Sequence, residues 1–176
     1  MESINIKTTI EQSAKGDSGA FSELYYHLVD RVFAYVVTRV YDRDTATEVT
    51  EDVFVELYRA LPRCTYYSDP SFYAFVFTIV RRQLAARYKQ NKKHEAVSVN
   101  EEIHSALRSG EITAETKLSV QQALESLDDV AREIVVLHHW SRFTFAEIGV
   151  LINMTEGAVR VRHHRAQSTL AKALQA

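Results

Sequence analysis

A chain of 176 residues with 46% hydrophobic and 25% charged side chains can bury one medium-sized core or two small ones. Its formal net charge is −2, which argues against a protein that coats nucleic acid indiscriminately, because such proteins carry a basic excess. The lone cysteine, Cys64, excludes an internal disulfide and a multi-cysteine zinc site, and residues 1–13 lack the basic and apolar segments of a secretion signal. We therefore expect a cytoplasmic protein that does not insert into membranes.

The spacing of apolar residues predicts an all-α fold. Apolar side chains recur three and four positions apart, and only five glycines and two prolines interrupt the pattern. The first helix is expected to follow the turn at residues 16–19 and to end at Tyr41. Its core face comprises Phe21, Leu24, Leu28, Val32, Tyr35 and Val36.

A second helix is expected over residues 44–61, where Thr45 and Glu48 can form a capping box. Its apolar positions are Val49, Val53, Phe54 and Leu57. The stretch is strongly acidic, because residues 42–56 hold six acids and one arginine, a net charge of −5. The acids are Asp42, Asp44, Glu48, Glu51, Asp52 and Glu56.

A third helix is expected to begin with Asp69 as N-cap and Pro70 at the first helical position, and to end near Lys93. Residues 71–94 hold six bases and no acid, so this helix is as basic as the preceding one is acidic. The bases are Arg81, Arg82, Arg87, Lys89, Lys92 and Lys93. Each charged run fits a solvated helix surface as well as an oppositely charged partner, and the two helices are expected to meet different partners.

Residues 94–117 are polar and acidic and have no sustained apolar stripe, which predicts a flexible linker. The chain is therefore expected to form two small helical domains, residues 1–93 and 118–176, on either side of it. In the second domain, Ser126 and Asp129 are expected to cap a helix that carries Ile134, Val135 and Leu137.

The end of the chain has the pattern of a helix-turn-helix. Thr144 and Glu147 can form a capping box, Asn153 suits the left-handed conformation of a tight turn, and Thr155 can cap the last helix. At 100° per residue, the last helix should bury an arc of Val159, Ala166, Leu170 and Ala173. The side expected to face outward carries Gly157, Arg160, Val161, His164 and Ser168.

The arginines of this helix suit two kinds of contact, because the planar guanidinium matches a guanine edge and a phosphate equally well. Arg160 faces outward, whereas Arg162 lies beside the buried arc and is better placed for phosphate. A solvated basic helix end that complements its own dipole is an equally simple interpretation. His163 is expected to be half-buried, and no metal site is expected, since the pairs 138–139 and 163–164 each diverge by about 100° on a helix.

Three segments in this order resemble the extracytoplasmic-function sigma factors, the two-domain initiation subunits of bacterial RNA polymerase. ATEVTEDVFVELYRAL resembles the acidic polymerase-binding helix of region two, and FYAFVFTIVRRQLAARYK resembles the promoter-melting helix that follows it. The segment from LESLDD to RHHRAQSTL resembles region four, including its recognition helix. The usual tryptophan and asparagine of the melting helix are replaced by Phe75 and Arg82.

This resemblance implies a promoter-specific initiation factor that is not an enzyme and needs no cofactor. It implies polymerase binding through Glu48, Glu51, Asp52 and Phe54. It implies contacts with minus-10 promoter DNA through Tyr66, Tyr67, Phe72, Phe75, Arg81, Arg82 and Arg87. It implies contacts with minus-35 DNA through Thr155, Glu156, Gly157, Arg160, Val161, Arg162, His164 and Arg165. The partners implied are core RNA polymerase and promoter DNA, and the family makes an anti-sigma factor plausible.

Two other functions compete with this interpretation. A stand-alone repressor would use the same helix-turn-helix, but its first domain would need neither the acidic nor the basic helix. A helical adaptor that binds only protein would leave the arginines of the last helix unused. An enzyme is expected least, because the sequence contains no Gly-rich phosphate loop, nucleophile motif or H-E-x-x-H pattern.

Overall fold

The all-α prediction is confirmed for the residues that the structure, a computed structural model, describes: 4–40, 42–94 and 122–174. These ranges contain helices, turns and loops but no strand. The chain divides into two compact units, residues 1–100 and 101–176. The predicted linker, residues 94–117, lies outside the described residues except for His94, which ends a helix. No helix in the described ranges is long and apolar enough to cross a membrane.

The described residues of the first unit form four α-helices and one short 3-10 turn. In chain order these are α1 (Ile6–Ala14), α2 (Ser18–Val40), α3 (Arg43–Ala60), the 3-10 turn (Leu61–Arg63) and α4 (Asp69–His94). Helix α2 packs against α1, α3 and α4, and α3 also packs against α4. The core therefore centres on α2, whose predicted apolar face is buried except for the partly exposed Phe21.

Helix α1 was not expected from the sequence. Ile6 and Ile10, one turn apart, are buried, and the other two buried residues of the helix are Thr9 and Ser13. Their hydroxyls are satisfied, because Thr9 Oγ1 donates to the Asn5 carbonyl at 2.9 Å and Ser13 Oγ donates to the Thr9 carbonyl at 2.7 Å. A stripe that is half polar gives too weak a hydrophobic period to predict a helix.

The structure corrects the N-caps of α3 and α4. Asp42 caps α3, and its Oδ2 accepts from the Thr45 backbone N–H at 2.6 Å, so the expected box of Thr45 and Glu48 does not form. Hydrogen bonds from the side chain and the backbone N–H of Thr45 lower the pKa of the Asp42 carboxyl. The N-cap of α4 is Ser68, one residue before the expected Asp69. Its Oγ accepts from the Ser71 backbone N–H at 3.3 Å. In each case a neighbouring residue of the same capping chemistry takes the position.

The second unit contains α5 (Asp129–His139), α6 (Phe145–Ile152) and α7 (Glu156–Ala173), preceded by a helical turn at residues 122–125. Both α5 and α6 pack against α7. Asp128 caps α5 by accepting from the Ala131 N–H at 2.8 Å, whereas Ser126, the expected cap, donates to the Ala123 carbonyl. One core cluster joins Leu124, Leu127, Ala131, Val135 and Ala166.

The predicted helix-turn-helix is confirmed by its turn chemistry. Thr144 and Glu147 form a complete capping box, Asn153 is left-handed with φ of 56°, and Thr155 accepts from the Ala158 N–H at 3.3 Å. The buried arc of α7 is shorter than expected: Val159 and Ala166 are buried, Leu170 is half-buried, and Ala173 is exposed. The buried arc ends at Leu170, because this is the last residue of α7 that packs against the core cluster.

Gly149 is needed where the two helices of the motif meet. A Cβ atom at Gly149 would lie 2.6 Å from the Met154 carbonyl oxygen, whereas a Cβ at Gly157 would have no neighbour within 4 Å. We expect Gly149→Ala to lower the free energy of unfolding by about 1–3 kcal/mol through overpacking. Gly157→Ala should raise it by about 0.5–1 kcal/mol, because it replaces a helical glycine.

Denaturant unfolding followed by the fluorescence of Trp140 measures this pair of variants. Trp140 is the single tryptophan of the chain and lies directly after α5, so the signal reports on the second unit. Equal midpoints for the two variants would contradict the close approach at Gly149.

Candidate functional site

The outward side of α7 presents the residues expected there. Gly157, Arg160, Val161, His164 and Ser168 are all exposed. Arg160 Nη2 lies 2.6 Å from Glu156 Oε1, and its guanidinium carbon lies 5.3 Å from the centre of the Phe145 ring. The two contacts hold the guanidinium at the N-terminal half of the helix, although the side chain remains 64% exposed. This is the part of a recognition helix that enters the major groove.

Arg162 points to a different part of the second unit. Its Nη1 lies 3.7 Å from Asp128 Oδ1, the same oxygen that caps α5. Two residues along a helix correspond to a rotation of about 200°, so Arg160 and Arg162 face nearly opposite directions. Arg165 is exposed and lines a shallow cleft with Arg162 and Asp128. The geometry therefore separates one outward arginine from two that flank the side of the helix.

Three histidines of the second unit meet between α5 and α7. His138 and His139 end α5, and His163 of α7 is 6% exposed, more deeply buried than expected. One ring nitrogen from each of the three lies within 4.8 Å of the others. Burial, with the nearby His138, His139 and His164, lowers the pKa of His163 to about 4. Partial desolvation and the nearby His138 also lower the pKa of His139.

The acidic helix α3 exposes Glu48, Glu51 and Asp52 as expected. Phe54 does not lie on this exposed side: it is 4% exposed and packs edge-on against Tyr25, with ring centres 4.6 Å apart. Val55 and Tyr58 are instead 48% and 46% exposed. They follow Glu48 and Glu51 at helical spacings, so α3 presents one stripe of Glu48, Glu51, Asp52, Val55 and Tyr58. We call this stripe the α3 face.

The acidic helix α3 and the basic helix α4 form ion pairs with each other, whereas the sequence suggested that each would meet a different partner. Arg87 Nη2 lies 2.7 Å from Glu48 Oε2, and Glu56 pairs with Arg82 and accepts from Gln83 at 2.6 Å. The pairs form because the two helices pack side by side. Glu51 and Asp52 have no ion pair in the part of the chain that the structure describes. The unpaired charge of the α3 face is therefore concentrated at these two residues.

The loop before α4 presents two tyrosines differently. Tyr67 is 80% exposed, whereas the Tyr66 hydroxyl donates to Asp69 Oδ1 at 2.7 Å. This hydrogen bond raises the pKa of the Tyr66 phenol. Tyr67 therefore offers a whole ring face to solvent, and Tyr66 is tied to the start of α4.

The expected minus-10 residues of α4 divide between core and surface. Phe72 is a correction, because it is 2% exposed and lies in the core beside Tyr73. Phe75 is half-buried and lines an open pocket with Arg59 and Arg63. Arg82 is exposed, and Arg81 and Arg87 are half-buried. The exposed aromatic and basic groups lie in the loop and along α4 after its first turn.

Comparison with protein families matches each unit separately. The sigma-70 region 2 family matches residues 24–94, and the sigma-70 region 4 family matches residues 117–170. The chain is 25% identical over 178 residues to the ECF RNA polymerase sigma factor BldN of Streptomyces coelicolor, with 98% of this chain and 67% of the relative covered. It is 24% identical to the ECF RNA polymerase sigma-E factor of Escherichia coli K12, with 99% and 96% covered.

Solved structures share the fold. CnrH, in a complex with the cytosolic domain of CnrY, matches with a TM-score of 0.64 and 21% identity, and 96% of each chain is covered. The sigma factor RpoE of Bartonella quintana, in a complex with the anti-sigma factor NepR, matches with a TM-score of 0.64 and 19% identity. That match covers 88% of this chain and 96% of the other. Both therefore agree with this chain in fold.

Proposed function

The chain belongs to the extracytoplasmic-function sigma factors of bacterial RNA polymerase, and from this premise we propose that it directs the core enzyme to promoters by contacting minus-35 and minus-10 DNA. In this proposal residues 1–93 bind polymerase and minus-10 DNA, residues 94–117 link the domains, and residues 118–176 bind minus-35 DNA. The protein acts by binding, without catalysis of its own, in the cytoplasm where transcription takes place.

The observation that carries the proposal is the position of Arg160. It lies on the exposed side of the second helix of a helix-turn-helix and is held there by Glu156 and Phe145. A pre-oriented guanidinium loses less conformational entropy when it binds the O6 and N7 atoms of guanine. Gly157 beside it has open space around its Cα, which allows the helix to approach DNA closely.

The loop and α4 supply the features that opening a duplex requires. Tyr67 presents a ring that can stack on an unpaired base, a contact of about 1–3 kcal/mol per base. Arg82 is exposed on α4 and pairs with Glu56, and exchange of this partner would let its guanidinium neutralise phosphate. With Phe72 in the core, the aromatic contacts are assigned to Tyr67, Tyr66 and Phe75.

The α3 face is proposed to bind core polymerase. It combines two carboxylates, Glu51 and Asp52, which have no ion pair among the described residues, with the exposed apolar surface of Val55 and Tyr58. An exposed aromatic and apolar patch bordered by polar side chains matches the usual layout of a protein interface, an apolar centre with a polar rim. An anti-sigma partner is proposed too, because the structural neighbours CnrH and RpoE were solved with the cytosolic domain of CnrY and with the anti-sigma factor NepR.

Transcription from a randomised promoter library by core polymerase and this protein tests the function. We expect Arg160→Ala to cost about 1–3 kcal/mol and to relax the preference at one base pair of the upstream element. Arg162→Ala should weaken all promoters alike, because its expected contact is with phosphate. Asp128→Asn is the opposite change, since asparagine keeps the α5 cap while it removes the ion pair to Arg162, so it should strengthen binding to all promoters rather than weaken it.

Two outcomes would contradict these assignments. If Arg160→Ala and Arg162→Ala change the sequence profile equally, the division into base and phosphate contacts is wrong. If the wild-type protein gives no promoter-selective transcription with core enzyme but binds an operator alone, the function is that of the stand-alone repressor.

A further inference from the structure

We propose that His138, His139 and His163 form a binding site for one Zn²⁺ ion that joins α5 to the recognition helix α7. Ring nitrogens of the three residues converge within 4.8 Å of one another. The ring of His163 stacks on His139 and meets His138 edge-on, with ring centres 5.0 and 4.9 Å apart.

The surroundings of His138 select the nitrogen that would bind the ion. Its Nδ1 lies 2.9 Å from the Phe143 carbonyl oxygen. A carbonyl only accepts, so Nδ1 carries the proton and Nε2 keeps the lone pair that a metal requires. The ring also stacks on Phe145, with centres 4.4 Å apart. A backbone carbonyl that fixes the tautomer of a histidine is the usual outer partner of a metal ligand.

His139 and His163 bring the other two nitrogens together. Their Nε2 atoms are 2.9 Å apart, so one ring donates a hydrogen bond to the other. Zinc–nitrogen bonds of about 2.0–2.1 Å in a tetrahedron place neighbouring nitrogens about 3.3–3.4 Å apart, so the rings would separate by roughly half an ångström. The shared proton would move to the Nδ1 atom of the ring that donates.

Charge and access also suit a cation at this position. His138 and His139 lie in the last turn of α5, where the helix dipole is negative. His139 is exposed, which leaves a fourth coordination position open to water, while His163 anchors the site in the core. Three imidazoles with one open position is a common zinc arrangement, and imidazole suits zinc better than magnesium or calcium.

Titration of the tag-free full chain with Zn²⁺, followed by calorimetry, tests the site. We expect one bound ion per chain and a higher denaturation midpoint for the transition reported by Trp140, because a ligand that binds only the folded state stabilises it. Substituting Co²⁺ for Zn²⁺ should produce the visible absorption of a tetrahedral ion.

The variant His139→Asn removes one ligand at an exposed position, so the fold should survive, and circular dichroism checks that it does. Loss of a residue that only hydrogen-bonds to a metal ligand lowers metal affinity by about 10- to 100-fold. Loss of the ligand itself should lower the affinity for Zn²⁺ by at least as much. His164→Asn is the matched control, because His164 is exposed next to His163 but is not one of the three, and its Zn²⁺ affinity should not change. Equal Zn²⁺ affinity of wild type and His139→Asn, or no shift of the wild-type midpoint with Zn²⁺, would overturn the proposal.

Discussion

Reversal of Glu48, Glu51 and Asp52 to lysine should abolish binding to core RNA polymerase and leave the helical content unchanged. Like charges placed across an interface cost several kcal/mol, and each 1.4 kcal/mol is about a tenfold loss of affinity. All three side chains are exposed, so the substitutions remove no core packing. Loss of the half-exposed pair between Glu48 and Arg87 should cost the fold no more than about 1 kcal/mol.

A matched variant separates the α3 face from overall charge. Glu11 of α1 and Glu23 and Asp30 of α2 are also exposed acids, and their reversal to lysine changes the net charge by the same amount. Co-purification with core enzyme should be lost for the α3 variant and retained for the matched variant. Loss in both would indicate a general charge effect, and retention in both would place the polymerase contact elsewhere.

Two exposed apolar residues extend the α3 face beyond its acids. Val55 and Tyr58 continue the line of Glu48 and Glu51 along α3. Neither stands out in the sequence, because an apolar residue in a helix is normally assigned to its buried side. Only the packing of α3 against α2 and α4 decides which apolar positions remain outside.

Periodicity and resemblance disagreed about Phe54. Phe54 stands at helical spacing from the apolar residues Val49, Val53 and Leu57, whereas the resemblance implied a surface contact with polymerase. The structure agrees with the spacing, since Phe54 is 4% exposed. Spacing along a helix reports directly on which side is buried, while a family motif identifies a helix without fixing the role of each residue in it.

The helix-turn-helix could be predicted in detail because its signals are local. The capping box of Thr144 and Glu147, the left-handed Asn153 and the cap Thr155 lie within 12 residues of one another, and each acts on its own backbone. The histidine cluster could not be predicted in this way. The divergence of neighbouring side chains on one helix says nothing about a residue of another helix, and His139 meets His163 across 24 positions of the sequence.

The free protein should bind promoter DNA weakly and gain selectivity only with core polymerase. Helix α7 carries four bases and one acid, a net charge of +3 with neutral histidines, and two of its arginines are already engaged with Glu156 and Asp128. Few phosphates can be neutralised by so small a basic surface, and affinity for DNA rises with that number through counterion release. The predicted linker at residues 94–117 adds a second cost, because two tethered domains reinforce each other only when the sites they reach are held at the right spacing.

Footprinting of a cognate duplex at about 0.15 M salt measures this dependence, because specific DNA-binding proteins reach about 10⁻⁸–10⁻¹¹ M under such conditions. The free protein should protect neither promoter element in that range, and addition of core enzyme should produce protection of both. The double variant Glu156→Gln and Asp128→Asn frees both arginines and should strengthen non-specific binding without creating a footprint. A footprint over both elements by the free protein in that affinity range would contradict the prediction and favour the stand-alone repressor, since polymerase would then not be needed to place the two domains.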